Sequence, residues 1–136
     1  MSKGYLTRIS IIRLGCLLLM CILFFLISCS EENFNYYIDS KQGDDSNPGN
    51  SPNSSWKSLD RINETCFNAG DSILFKCGGI WTGMLYPKGS GKDGNPIVID
   101  KYGHGNMPIL CGQGQVENTV YLLNQEYWEI NNLVVC

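Results

Sequence analysis

The side chains that could do chemistry in this chain lie mostly in glycine-rich turns. Proton abstraction needs a base, commonly Lys or Arg, and a nearby cation can neutralise the charge that develops. Lys88, Lys92 and Lys101 are bases of that type, and Asp93 and Asp100 offer oxygens to a cation. Their turn setting makes solvated charge their ordinary state. Acid and base catalysis by a carboxylate pair needs two facing carboxylates, and linear spacing does not supply their separation. His104, between Gly103 and Gly105, has no second His or Cys near it and reads as a turn residue. Trp81, Tyr86, Tyr127 and Trp128 could offer rings to a sugar, although aromatics at strand positions more often pack.

Asp39, Asp44, Asp45 and Asn47 bring hard oxygens close together, as calcium requires. The loop has no Asp-x-Asp-x-Asp ladder with a closing Glu, and Asp and Asn in turns usually serve their own backbone, so a structural turn is the preferred reading. Seven cysteines and one histidine form no CxxC or other metal spacing. Cys77 and Cys111 each follow a strand-like run. Strands stacked about 4.8 Å apart would put them within disulfide reach. For Cys66, Cys77, Cys111 and Cys136 the expected state is nonetheless the unpaired thiol, acting as a small hydrophobe.

The elements that must position these groups are organised around residues 70–103. Two apolar runs, Ile73-Leu74-Phe75 and Ile97-Val98-Ile99, are each introduced by turn residues, and a third, Val120-Tyr121-Leu122-Leu123, follows. Their starts are 24 and 23 positions apart, which suggests one solenoid coil per interval. Alternation predicts a column of Ile73 and Phe75, Ile97 and Ile99, Val120 and Leu122, with Lys76 and Asp100 outside. A looser second series is Met84-Leu85-Tyr86, Pro108-Ile109-Leu110 and Trp128-Glu129-Ile130. Leu133-Val134-Val135 begins one more strand. Before the runs, Tyr36-Tyr37-Ile38-Asp39 has strand composition, and residues 41–53 are a Gly, Asp, Asn, Ser and Pro loop. A helix is then predicted from Ser54 or Ser55 to about Cys66, ended by Asn68-Ala69-Gly70, with Trp56, Leu59 and Ile62 on the face that covers the open end of the core. Trp56 is expected to plug that end.

The N-terminus is of another kind. Lys3, Arg8 and Arg13 precede or open an apolar stretch from Leu14 to Ile27, too short to span a bilayer comfortably and without a basic stop, as in a signal peptide. Cys16 and Cys21 would leave with it. Its end, Leu26-Ile27-Ser28-Cys29, resembles the lipobox of bacterial lipoproteins, which implies lipidation of Cys29 and a membrane contact through that anchor alone. Ser30-Glu31-Glu32-Asn33 resembles the acidic tether of Bacteroidetes-type surface lipoproteins. A bacterial source discounts the glycosylation triplets at Asn53 and Asn63. From Cys29 onward, 7 Lys and Arg face 13 Asp and Glu, a net charge of −6 with no basic cluster, which argues against nucleic acid as a partner.

Three stretches, YYIDSKQGDDSNPGNSPNSSWKSLDRIN, GDSILFKCGGIWTGMLYPKGSGKDGNPIVIDKYG and YLLNQEYWEINNLVV, together resemble the N-terminal region of right-handed parallel β-helix proteins of the pectate-lyase-like superfamily. The resemblance implies an all-β solenoid: signal peptide 1–28, polar tether 29–35, opening strand, loop and capping helix 36–70, and first coils 71–136. Cys77 and Cys111 depart from the polar residue and the Asn that are usual in the family. Family members are much longer and carry catalytic groups on middle coils, so the expectation is a C-terminally truncated chain to which no catalytic residue transfers. The full-length relative would then act as a lyase or hydrolase on a polysaccharide at the cell envelope. The alternatives are a non-catalytic glycan-binding or structural surface protein and an inactive truncated product. No cofactor is expected of this chain; calcium would belong to a full-length relative. A few coils with a naked end should be marginally stable and prone to aggregate.

Overall fold

The structure is a computed structural model and describes residues 32–136. The expected signal peptide, with Cys16 and Cys21, and the expected lipidation site Cys29 lie outside the described residues. Nine short strands and one helix follow in order: β1 (Asn35–Ile38), α1 (Leu59–Glu64), β2 (Cys66–Phe67), β3 (Ser72–Lys76), β4 (Ile80–Thr82), β5 (Lys88–Gly89), β6 (Ile97–Tyr102), β7 (Ile109–Cys111), β8 (Trp128–Ile130) and β9 (Val134–Val135). They form three sheets, ordered β1-β3-β6-β8, β4-β7-β9 and β2-β5, and every strand pair is parallel. Parallel neighbours cannot be joined by a hairpin. The chain therefore leaves each sheet, visits another, and returns one strand further along. The expectation of a mostly β chain that winds back on itself is met at that level.

The register differs from the expected column. Ile73 lies between Tyr36 and Ile99, and Ile99 pairs in turn with Ile130, so the file reads Tyr36, Ile73, Ile99, Ile130. Ile97 stands opposite Trp128, two residues earlier along the same pair. Val120 leaves this sheet altogether and bridges Leu85 in parallel, with Leu122 half-buried. Even spacing of apolar runs did not become even geometry because residues 112–127 lengthen the return path before β8. The second series is corrected as well: Leu85, Ile109 and Trp128 start three different pairings. Alternation within strands was right, since Ile73, Phe75, Ile97 and Ile99 are fully buried.

The helix is shorter than expected and starts later. Pro52–Ser54 form a single 3-10 turn, and α1 begins at Leu59 with the Ser58 hydroxyl accepting from Arg61 N at 3.2 Å. Trp56 belongs to no helix because its backbone serves the sheet edge: its N–H donates to Tyr37 O and its carbonyl accepts from Asp39 N, both at 2.9 Å. Cys66 and Phe67, expected at the helix end, form β2, and Gly70 turns the chain into β3 at a φ of 89°. The helix packs on the core all the same. Leu59 and Ile62 are buried, and the Trp56 indole stacks on Tyr36 at 4.9 Å with the Arg61 guanidinium 4.9 Å from its ring centre. Gly49 closes the loop around that indole at a φ of 77°, and a side chain there would strike the ring.

Cysteine pairing is a second correction. Cys111 is bonded to Cys136, with Cα atoms 4.5 Å apart, while Cys66 and Cys77 are free. Cys111 ends β7 and Cys136 follows β9, its parallel neighbour, so the two residues meet side by side. Cys77 follows β3 in another sheet and cannot face Cys111; its Sγ lies 3.5 Å from Gly103 O. In the chain-entropy account, closing a loop of 25 residues contributes about 3.5 kcal/mol.

Candidate functional site

Two open clefts and one buried polar latch collect the chemistry-bearing side chains. The latch involves Asp39, which is 2% exposed. Its Oδ1 accepts from Lys41 N at 2.9 Å and Gln42 N at 3.2 Å, and its Oδ2 from Lys76 Nζ at 2.6 Å. Asp44 Oδ1 accepts from the Ser46 N–H and hydroxyl, and Asp45 Oδ1 from the N–H groups of Lys57 and Ser58. Asn47 donates to Ser55 O and takes the Trp56 indole N–H on its own carbonyl. These oxygens already hold the loop against the lid, which is the structural reading of the acidic loop. Among the described residues, no group of three or more His, Cys, Asp or Glu side chains is placed to hold a metal.

The latch sets an acid limit. Burial works against the ionised form of Asp39, but hydrogen bonds from Lys76, Lys41 and Gln42 and the Lys76 charge outweigh it and hold the carboxyl below its usual 3.8. For Asp45 burial likewise opposes and the Ser58 and Lys57 hydrogen bonds prevail; Asp44 is lowered by Ser46. A lowered carboxyl contributes stability that is present above its unfolded pKa and lost as pH falls through its folded one. Thermal stability should therefore decline below about pH 4. Lys76→Met strands the Asp39 carboxylate, so its melting temperature should lie below that of the native chain at pH 7. Melts across pH should show that gap narrowing as acid protonates the carboxyl. An equal gap at both ends of the range would reject the latch as an electrostatic device. Near the same group, burial first and the Asp39 charge second push the Tyr102 phenol up to about 12.

The sequence-nominated bases are not gathered at one place. Lys88 is exposed on β5, His104 is exposed in a turn, and Lys101 lies on β6 beside Asp100, whose Oδ1 accepts from Lys101 N at 2.7 Å and Asn132 Nδ2 at 2.8 Å. Lys92 and Asp93 do share one cleft of about 480 Å³ with Tyr127, Trp128 and Glu129. Trp81 is no platform. It is buried, donates to Lys57 O at 2.9 Å and meets Phe75 edge-on. Trp128 is half-buried and donates to Gly89 O at 3.1 Å.

The other cleft, about 540 Å³, is lined by Met84, Tyr86, Val116, Glu117, Asn118 and Tyr121. Its floor is the Leu85 to Val120 bridge: Leu85 N donates to Thr119 O and Tyr121 N to Leu85 O. Leu85 points inward and is fully buried, so alternation puts Tyr86 and Tyr121 outside, with ring centres 5.3 Å apart and planes tilted by 42°. Asn63 of α1 locks this edge, accepting from Tyr86 N at 2.6 Å and donating to Met84 O at 2.9 Å. Sequence reading named Tyr86 and missed Tyr121, Glu117 and Asn118. Tyr121 had a signal, as the outward residue between Val120 and Leu122; the two loop residues had none.

No family model matches the chain. The chain is 35% identical over 85 residues to a lacto-N-biosidase of Bifidobacterium longum subsp. longum, a match covering 58% of this chain and 5% of that protein. Among solved structures it resembles the GH136 lacto-N-biosidase of Eubacterium ramulus, native form, with a TM-score of 0.69 and 27% identity over 75% of this chain. The selenomethionine derivative of that enzyme gives a TM-score of 0.68 and 28% identity over 76%. The chain spans 20% of those structures' length. What it is similar to, in sequence and in three dimensions, is therefore one stretch of lacto-N-biosidases, which are glycoside hydrolases.

Proposed function

We propose that this chain is the opening section of a lacto-N-biosidase-like glycoside hydrolase, built as a right-handed parallel β-helix, exported, and anchored through a lipidated Cys29. The observation that carries the reading is the structural likeness over three quarters of the chain. The parallel winding supports the β-helix, and the strong preference for right-handed crossovers between parallel strands supports its hand. The Cys111 to Cys136 bond suits an exported compartment. In this reading the chemistry is hydrolysis, and no base beside a cation among Lys88, Lys92 and Lys101 is called for. The substrate class becomes glycans that end in lacto-N-biose in place of uronic-acid polymers. Within this reading the chain supplies a lid, a start for the coils and part of a glycan-facing surface, and it contributes no catalytic pair of its own.

The test is to incubate the product of the whole reading frame, and separately the 136-residue chain, with an aryl lacto-N-bioside. The whole product should release the disaccharide and the chain alone should not. A whole product that releases nothing overturns the hydrolase reading, and release by the chain alone overturns its status as a non-catalytic section. Labelled palmitate, incorporated by the native chain and lost in Cys29→Ser, tests the anchor in the same cells.

A further inference from the structure

We propose that the Tyr86 and Tyr121 cleft is a binding subsite for one neutral sugar ring of a glycan, separate from the bond-cleaving centre. It rests on the glycan reading only for the choice of sugar. The two rings diverge from flat stacking, so they form a tilted apolar wall in the open cleft. The backbones of Tyr86 and Tyr121 are held, by Asn63 and by the Leu85 bridge, so the two rings project from fixed positions. Glu117 and Asn118, exposed, line the same cleft on a segment tied down at both ends. Gln115 N donates to Gly112 O at 2.9 Å, Gly112 N to Cys136 O at 2.8 Å, and the Thr119 hydroxyl to Cys136 O at 3.1 Å.

A pyranose fits both sides of such a site. One face of it carries C–H groups that lie against aromatic carbon, and its equatorial hydroxyls reach a carboxylate and an amide at the rim. An anion is disfavoured by Glu117 and by the acidity of the chain from Cys29 onward. A wholly apolar ligand would strip water from Glu117 and Asn118 without replacing their hydrogen bonds. An organic cation is the serious competitor, because tyrosine faces and one carboxylate also attract positive charge.

The experiment titrates the full chain with lacto-N-biose and, separately, with tetramethylammonium, followed by NMR. Lacto-N-biose should bind, Tyr86→Ala and Tyr121→Ala should each weaken it about tenfold, and Tyr86→Phe should hold it near native strength. Glu117→Gln, an exposed loop change that leaves the core alone, should weaken it several-fold, while Tyr127→Ala in the other cleft should have no effect. Equal binding in the native, Glu117→Gln and Tyr121→Ala chains, or tetramethylammonium binding in preference to the sugar, overturns the subsite. If the whole product hydrolyses the aryl lacto-N-bioside while these variants bind normally, the subsite fails and the hydrolase reading stands. Binding lost in the variants of a product that hydrolyses nothing would be the reverse outcome, with the subsite standing.

Discussion

Phe75→Ala should destabilise the fold by about 3–5 kcal/mol. Phe75 is fully buried near the end of β3, between Ile38 of β1 and Lys101 of β6, and its ring meets Trp81 edge-on with centres 4.9 Å apart. Trp81 is held in turn by its bond to Lys57 O beside the lid. Removing the ring leaves a cavity where the four-stranded sheet, the three-stranded sheet and the lid segment converge, and parallel strands pinned at both edges have little freedom to collapse into it. A domain of this size has about 5–15 kcal/mol in all, so a large share of its stability would be gone. In urea the midpoint should fall by about 2 M or more, and Phe75→Leu should cost much less. A midpoint that barely moves in Phe75→Ala would mean that the core is not continuous across the two sheets.

Asp71→Ala should cost about 3 kcal/mol through polar groups alone. The side chain is fully buried and accepts from Phe34 N at 3.0 Å on Oδ1 and from Asn68 N at 2.8 Å on Oδ2. Its own carbonyl takes Val98 N at 2.9 Å. One carboxylate thus ties the residue before β1 to the turn before β3, where no regular ladder reaches. Alanine would leave two N–H groups without partners, and each such group costs about 1–3 kcal/mol. Asparagine keeps one acceptor but turns a donor towards the other N–H, so it should fall between the two. A second readout separates this from plain loss of packing. Burial first and the Asp71 charge second raise the Tyr36 phenol above its usual 10. In a folded Asp71→Asn chain only the burial remains, and absorbance titration should find the phenol ionising at lower pH than in the native chain. No change in that titration would show that the carboxylate is not felt at β1.

Short-range physics made much of this legible in advance. Alternation marks Ile73, Phe75, Ile97 and Ile99 as inward because a pleated strand leaves no other arrangement, and all four are buried. Loop composition marks residues 41–53 as a turn because Asp and Asn hydrogen-bond nearby backbone more readily than anything distant. The lid was foreseen as well, with its boundary misplaced. Ser54, Ser55 and Ser58 are all good caps in isolation, and the selection among them was made by Ile38, whose edge recruited the Trp56 backbone and delayed the helix until Ser58.

What the chain by itself determined is therefore its class and its inward faces: a mostly β, acidic, repeating chain with one short helix near its start. The tertiary structure alone decided the register, in which Ile73 meets Ile99 and Val120 meets Leu85. It alone decided the bond between Cys111 and Cys136, and the cleft that joins Tyr86 to Tyr121 across a gap of 35 residues. Alternation is a property of neighbouring residues and can be read locally. Pairing between coils depends on how much chain each return path consumes, and loop closure varies so weakly with length that spacing along the sequence does not determine it.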